Sequence, residues 1–392
     1  MRAGIDKRAM TALAAGHLGT DFANGALPAL LPFLRERFSL SYTLAGTLVL
    51  ASAASSSLVQ PLFGLWSDRR GAIWLLPGGV AVAGVGIALA ADAPSYRLVL
   101  VFVVVSGFGV AAYHPEGSKF AAFASGRKRA SGMSAFSIGG NLGFALGPIV
   151  ATPLVLWFGL RGGLLLALPC LAIAAMLLAV TPFLRTFVPE RPLRRRSGGE
   201  DRPGALGLLL AVIGFRSLAW WGLLTFVPLW EVSLGHSKAY GNHLLSLMLL
   251  VGGIGTILVG PAADRFGRRP VLVASLVTAA PLIFVFVAVG GVVGAVALAF
   301  VGISVVGTFG LTMVMSQEYL PRRIGMASGL SIGLSIGLGG VAAVGLGALA
   351  DSIDLRTALY VCAAAPLAGL ALTMLLPSGD GRRTLEPEIV VP

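Results

Sequence analysis

Apolar residues in this chain come in long unbroken runs rather than in the alternations expected of a half-buried helix or strand. A helix needs roughly twenty mostly apolar residues to cross ~30 Å of hydrocarbon, and the sequence holds about twelve such runs. In the first half they fall at 9–31, 41–63, 72–91, 97–118, 131–156 and 162–184. In the second half they fall at 205–230, 241–263, 271–292, 294–316, 325–350 and 356–376. The least marked boundary is Gly290-Gly291, where no charge separates two runs. Pro32 and Pro228 are expected to close the first and seventh runs. The first run is expected to be a span rather than a cleaved leader. It exceeds the length of a leader's apolar region and carries His17, Asp21 and Asn24 within it.

Composition agrees with this pattern. The chain is 56% hydrophobic and only 12% charged, with 53 glycines. A soluble domain carries about 25% charged residues, so much of this surface must face lipid. Abundant small residues suit close helix packing in a bilayer. The expectation is an all-α membrane protein of twelve transmembrane helices, arranged as two pseudo-symmetric six-helix bundles. The bundles are placed at 1–185 and 205–392, joined by a linker at 186–204 rich in Pro, Arg and Gly.

The net charge of +12 would suit nucleic acid if it were clustered, but it is sorted by loop. One set of alternate loops holds 22 Lys and Arg and the other only 6. The positive-inside rule therefore places both termini and the middle loop in the cytoplasm, and no nucleic-acid partner is needed. Cys170 and Cys362, the only cysteines, both lie inside predicted spans and read as small core residues, with no disulfide and no metal site.

The chain repeats itself at about half its length, as parallel-repeat transporters do. Gly64-Leu65-Trp66-Ser67-Asp68-Arg69-Arg70-Gly71 follows the second run, and Gly260-Pro261-Ala262-Ala263-Asp264-Arg265-Phe266-Gly267-Arg268-Arg269 follows the eighth. Ser131-Gly132-Met133-Ser134 and Ser328-Gly329-Leu330-Ser331 open the fifth and eleventh. The repeated Gly, Asp-Arg and basic pattern resembles the loop signature of the major facilitator superfamily. The first copy departs from it at Ala72 and Ile73. Three further segments resemble the fosmidomycin resistance protein branch of that superfamily. They are His17-x-x-x-Asp21, Tyr113-His114-Pro115-Glu116-Gly117 leading to Ser137-Ile138-Gly139-Gly140-Asn141-Leu142-Gly143, and Gln317-Glu318-Tyr319-Leu320-Pro321 leading to Arg323-Ile324-Gly325-Met326. The resemblance implies the major facilitator fold, a bacterial inner-membrane location, and proton-driven export of a small anionic phosphonate drug or similar toxic compound.

Ionisable residues within a membrane are costly and mark candidate sites. Asp21 lies near mid-bilayer with His17 one turn earlier on the same face, so the pair is expected to load and release protons. The plainer alternative is hydrogen bonding between helices. Arg216 lies at matching depth in the seventh run. It would either pair with Asp21 across a central cavity or bind an anionic substrate bidentately. Trp220 would wall that cavity or stack on the guanidinium, while Trp221 would face lipid as readily. Asn24, Ser106, Thr308 and Thr312 are further substrate-cavity candidates. Glu116, with His114 beside it, and Glu318 sit near the cytoplasmic ends of spans four and ten. They are expected to gate by pairing with Arg69 or Arg70 and with Arg268 or Arg269, alongside Gly64, Asp68, Gly260, Asp264 and Arg265; proton release is the alternative, for His114 as well. Gly139, Gly143, Gly147 and Pro148 partly match the superfamily's antiporter motif. Ala151 and Thr152 replace its final glycines, and Val103 stands where its arginine would be.

An enzyme is not expected. No His-Glu-x-x-His motif and no phosphate-binding loop is present, and the glycine pairs near Gly78 and Gly333 follow no strand. No cofactor is implied. The partners expected are a small-molecule substrate, protons and lipid, and a monomer suffices. An uptake symporter for a small organic anion and a non-transporting membrane sensor are the alternative functions.

Overall fold

The computed structural model describes residues 4–70, 72–126, 128–187 and 200–377, excepting the side chains of 68–70, 129, 130, 324, 325 and 328. Among them every regular element is a helix. The spans in the first half are α1 (Lys7–Phe38), α2 with α3 (Tyr42–Ser57, Gln60–Arg70), α4 (Leu75–Ala91), α5 (Tyr96–Ala124), α6 (Arg129–Phe158) and a 3-10 turn (Leu160–Leu166) running into α7 (Ala167–Arg185). In the second half they are α8 (Pro203–Ser233), α9 (Lys238–Phe266), α10 (Arg268–Val289), α11 with α12 (Gly291–Val306, Phe309–Tyr319), α13 (Ile324–Ser352) and α14 (Leu355–Met374). Ten of these rods are long and apolar enough to cross a bilayer by composition alone. The polar face of α1 and the shortness of α4 set those two apart; with them the rods number twelve.

Local chemistry sets the ends. Asp6, Ser41, Ser95, Ser237 and Asp354 each accept a backbone N–H of the following helix's first turn, filling donors that have no intrahelical partner. Asp354 is fully exposed, and the N–H bonds it accepts hold its carboxyl below the usual carboxylate value. Gly290 and Gly291 turn the chain at φ 65° and 55°, a left-handed geometry that glycine adopts without strain. The boundary that lacked a charge is thus made by backbone conformation.

Pro32 and Pro228 do not close their helices: α1 continues to Phe38 and α8 to Ser233. Proline removes one N–H, and inside a bundle the surrounding helices tolerate that. Gly241 of α9 lies so near Pro228 that a Cβ there would meet the Pro228 Cα at 2.9 Å.

Close approach at glycine builds both halves. On α6, Gly139, Gly143 and Gly147 press onto the backbone of α1 at Ala14, Leu18 and Gly25-Ala26, where a Cβ has no room. Contact between halves is concentrated at the end of the bundle remote from where α1 starts. Gly347 and Gly340 of α13 meet Tyr42-Thr43 and Leu50-Ala53 of α2. Asp351 accepts from the Tyr42 and Thr43 backbone N–H groups (2.8 and 2.9 Å) and from the Thr43 hydroxyl (2.6 Å). Asn242 donates to Thr152 Oγ1 (2.8 Å) and the Ala29 carbonyl (3.1 Å), and Lys238 pairs with Glu36. Gly329, Gly333 and Gly337 continue the α13 stripe toward the other end and face open space. Among the described residues, the halves are tied together at the remote end and stand open at the end where α1 begins.

Gly143→Val should force α1 and α6 apart, because a Cβ there would lie 2.8 Å from Phe22 N. Overpacking of this kind costs about 1–3 kcal/mol. A clear drop in the melting temperature of detergent-purified protein is expected. Gly345→Val, where nothing lies within 4 Å, should leave it unchanged.

Candidate functional site

Two clusters of buried polar groups occupy the interior, one in each half. In the first half α1 carries Asp21 and, one turn earlier, His17; α5 brings His114 beside them. His17 Nε2 lies 3.2 Å from Asp21 Oδ2, and His114 Nε2 lies 3.4 Å from Asp21 Oδ1. Asn24 donates to Oδ1 at 3.4 Å. The far nitrogen of each ring is also fixed. His17 Nδ1 donates to the Phe136 carbonyl and His114 Nδ1 to the Val110 carbonyl, each at 2.9 Å. The His17 ring stacks on Phe136 at 4.2 Å. Tyr113 closes the floor by donating to the Leu13 carbonyl at 2.5 Å.

Gly140 of α6 makes this arrangement possible. A Cβ there would come within 2.6 Å of both Asp21 Oδ2 and His17 Nε2. Sequence reading missed Gly140 in this role, and placed His114 too near the end of its helix. The helix α5 runs to Ala124 rather than 118, so His114 sits nearly three turns above its end. Two imidazoles and a carboxylate within 4.8 Å of one another are also a donor set used for metals. Here the rings engage opposite carboxylate oxygens instead of converging on one point, an arrangement suited to sharing protons.

The second cluster centres on Arg216 of α8, only 2% exposed. Its Nη1 donates to Thr308 Oγ1 at 3.3 Å, and its guanidinium carbon lies 4.2 Å from the centroid of the Phe309 ring. Thr308 sits at the break between α11 and α12 and points its own proton at the Ser304 or Val305 carbonyl. Ser217 bonds Ser335 (2.6 Å), and Ser331 bonds Ser316 (2.5 Å). Arg216 Nε has no partner, and no carboxylate stands within ion-pair distance among the described residues. A buried cation without a counter-charge is costly and is complementary to an anion.

Several expectations change. Asp21 and Arg216 do not pair in this structure, since the two histidines already satisfy the carboxylate from within its own half. Phe309, not Trp220, lies under the guanidinium; Trp220 is buried in the apolar core. Trp221 is half-buried and packs on Gly339 with its indole N–H buried. Ser106 donates to the Ala83 carbonyl across α4 and is a packing hydroxyl, while Thr312 bonds the Thr308 carbonyl within its own helix. Asn24 belongs to the Asp21 cluster.

Of the loop residues, Glu116 is 1% exposed and takes Lys119 Nζ at 2.8 Å together with the Ser67 hydroxyl. The side chains of Asp68, Arg69 and Arg70 lie outside the described residues. Glu318 pairs with Arg268. Asp264 and Arg265 are exposed, Gly260 faces open space, and a Cβ on Gly64 would make an ordinary 3.7 Å contact with Pro115.

Thr308→Val should leave a buried guanidinium with no hydrogen-bond acceptor, a loss of about 1–3 kcal/mol. The expected result is a lower melting temperature that Thr308→Ser restores.

Comparison with known proteins places this geometry. The model of the Major Facilitator Superfamily matches residues 13–343 and again 209–388. The chain is 33% identical to the MFS-type transporter YfnC of Bacillus subtilis (strain 168), over 94% of this chain and 92% of that protein. It is 31% identical to the fosmidomycin resistance protein of Escherichia coli (strain K12), over 93% of this chain and 92% of that protein. Among solved structures, a bacterial homologue of the human lysosomal transporter Spinster, inward-facing and occupied, superposes with a TM-score of 0.73. That likeness has 16% identity and covers 94% of this chain and 96% of that one. Family model, relatives and fold agree: the chain belongs to the Major Facilitator Superfamily of membrane transporters.

Proposed function

We propose that this transporter exports a small anionic compound of the fosmidomycin type in exchange for protons. The single observation that carries the reading is Arg216: a guanidinium buried to 2% exposure, with an unpartnered Nε and no carboxylate partner among the described residues. Guanidinium matches phosphonate and carboxylate oxygens bidentately, so an anion reaching α8 supplies the missing counter-charge. The similarity to a fosmidomycin resistance protein supports a phosphonate as that anion. Proton coupling is assigned to Asp21 and His17 in the other half.

The units at 1–185 and 205–392 rock about these two sites to give alternating access, as a monomer. With the termini in the cytoplasm of a bacterial inner membrane, the open end of the bundle faces inward. The Asp351 and Asn242 contacts then hold the outer side shut. Glu318–Arg268 and the Glu116–Lys119–Ser67 set would brace the inner side, together with Gly64, Asp68, Arg69, Gly260, Asp264 and Arg265. Asp21 and Arg216 need not touch for coupling, because protonation at one and anion binding at the other both bias the same rocking equilibrium.

The test is growth of a fosmidomycin-sensitive bacterial host expressing matched levels of each protein. Wild type should protect, and Asp21→Asn and Arg216→Ala should not. Arg216→Lys should weaken apparent affinity about tenfold, equivalent to about 1.4 kcal/mol, because an ammonium cannot bind bidentately. Undiminished protection by Arg216→Lys would remove the anion-recognition role. No protection by wild type would remove the phosphonate assignment.

A further inference from the structure

Each imidazole of the first-half cluster lies between two acceptors. His17 has the Phe136 carbonyl at Nδ1 and Asp21 Oδ2 at Nε2; His114 has the Val110 carbonyl at Nδ1 and Asp21 Oδ1 at Nε2. A neutral imidazole carries one N–H and satisfies one acceptor, leaving a nitrogen lone pair against an oxygen lone pair at the other end. An imidazolium satisfies both. Because the carboxylate offers a separate oxygen to each ring, one shared proton cannot serve both contacts. The geometry therefore accommodates two imidazolium rings flanking one carboxylate, a cluster of net charge +1.

Neighbouring groups do not supply these protons. On α5 the Tyr113 hydroxyl is committed to the Leu13 carbonyl, and Glu116, two residues after His114, is engaged by Lys119 and Ser67. The elements α6, α4 and α7 present Phe136 and Gly140, Val80, and the Cys170 thiol, which contacts the Gly19 carbonyl at 3.4 Å. From α8, Arg216 is held by Thr308 and Phe309. The side chains of His17, Asp21 and His114 keep 12%, 10% and 23% exposure, so water reaches all three.

We propose that His114 is a second proton carrier beside His17, and that the cluster stores two exchangeable protons, one at each Nε2···Oδ contact. Full discharge releases both protons, taking the cluster's charge from +1 through 0 to −1. This rests on the reading of Asp21 as the proton-coupling site. It implies two protons moved inward per transport cycle; export of an anion carries charge in the same sense, so the exchange draws on the membrane potential as well as on the pH gradient.

The experiment uses the full chain in lipid nanodiscs with nitrogen-15-labelled histidine. The chain has 4 histidines, so His236 and His243 are assigned by substitution. On raising the pH, wild type should show both His17 and His114 changing from imidazolium to neutral, with two protons released per protein in all. His114→Gln, at wild-type melting temperature, should release one. A His114 ring that stays neutral at every pH overturns the two-proton store, and the wild-type spectrum decides this even where the variant fails to fold. The underlying reading is tested apart, by substrate-dependent proton flux in vesicles containing Asp21→Asn. Flux that persists there removes proton coupling at Asp21 and this proposal with it. Flux lost there, with His114 always neutral, removes only the second proton.

Discussion

A charge placed among apolar helices must be answered from inside the bundle, because lipid offers neither counter-ion nor hydrogen bond. This protein meets that constraint differently in its two halves. Asp21 is enclosed by His17, His114 and Asn24, so its charge can be balanced by protons. Arg216 is given one hydroxyl and one aromatic face, which leaves its charge unbalanced. One half is thus suited to hold protons and the other to hold an anion.

The surrounding helices serve this division. The glycines of α6 let α1 approach until Gly140 borders the Asp21–His17 pair, so a packing motif also shapes the carboxylate–imidazole cluster. The break between α11 and α12 places Thr308 and Phe309 on Arg216. Between the halves, the glycine stripe of α13 is used against α2 at Gly340 and Gly347 and left open at Gly329, Gly333 and Gly337. A stripe continuous along one helix but engaged over half its length suits two alternative packings of similar energy.

The fold was legible because bilayer thickness fixes run length and glycine fixes turns; even Gly290-Gly291 carried enough information. The repeated loop motif and the antiporter-like glycines were legible for the same reason, being local. What sequence could not place was chemistry depending on how helices rotate and tilt against one another. His114 is far from Asp21 in the chain, and only the length and tilt of α5 bring it there. The repeat put Asp21 and Arg216 at one depth without showing that each was already engaged within its own half. Pro32 and Pro228 misled because neighbouring helices, not the local backbone, decide whether a transmembrane helix continues. Ser106 and Trp220 were typical cavity residues by type and packing residues by position.

The separation of the two sites can be tested most directly in proteoliposomes by measuring fosmidomycin binding and fosmidomycin-dependent proton movement on the same preparations. Asp21→Asn should still bind the anion while moving no protons, and Arg216→Ala should lose binding and with it all substrate-dependent proton movement. If Asp21→Asn abolishes anion binding as completely as Arg216→Ala does, the two residues form one site, and the division of labour between the halves is wrong.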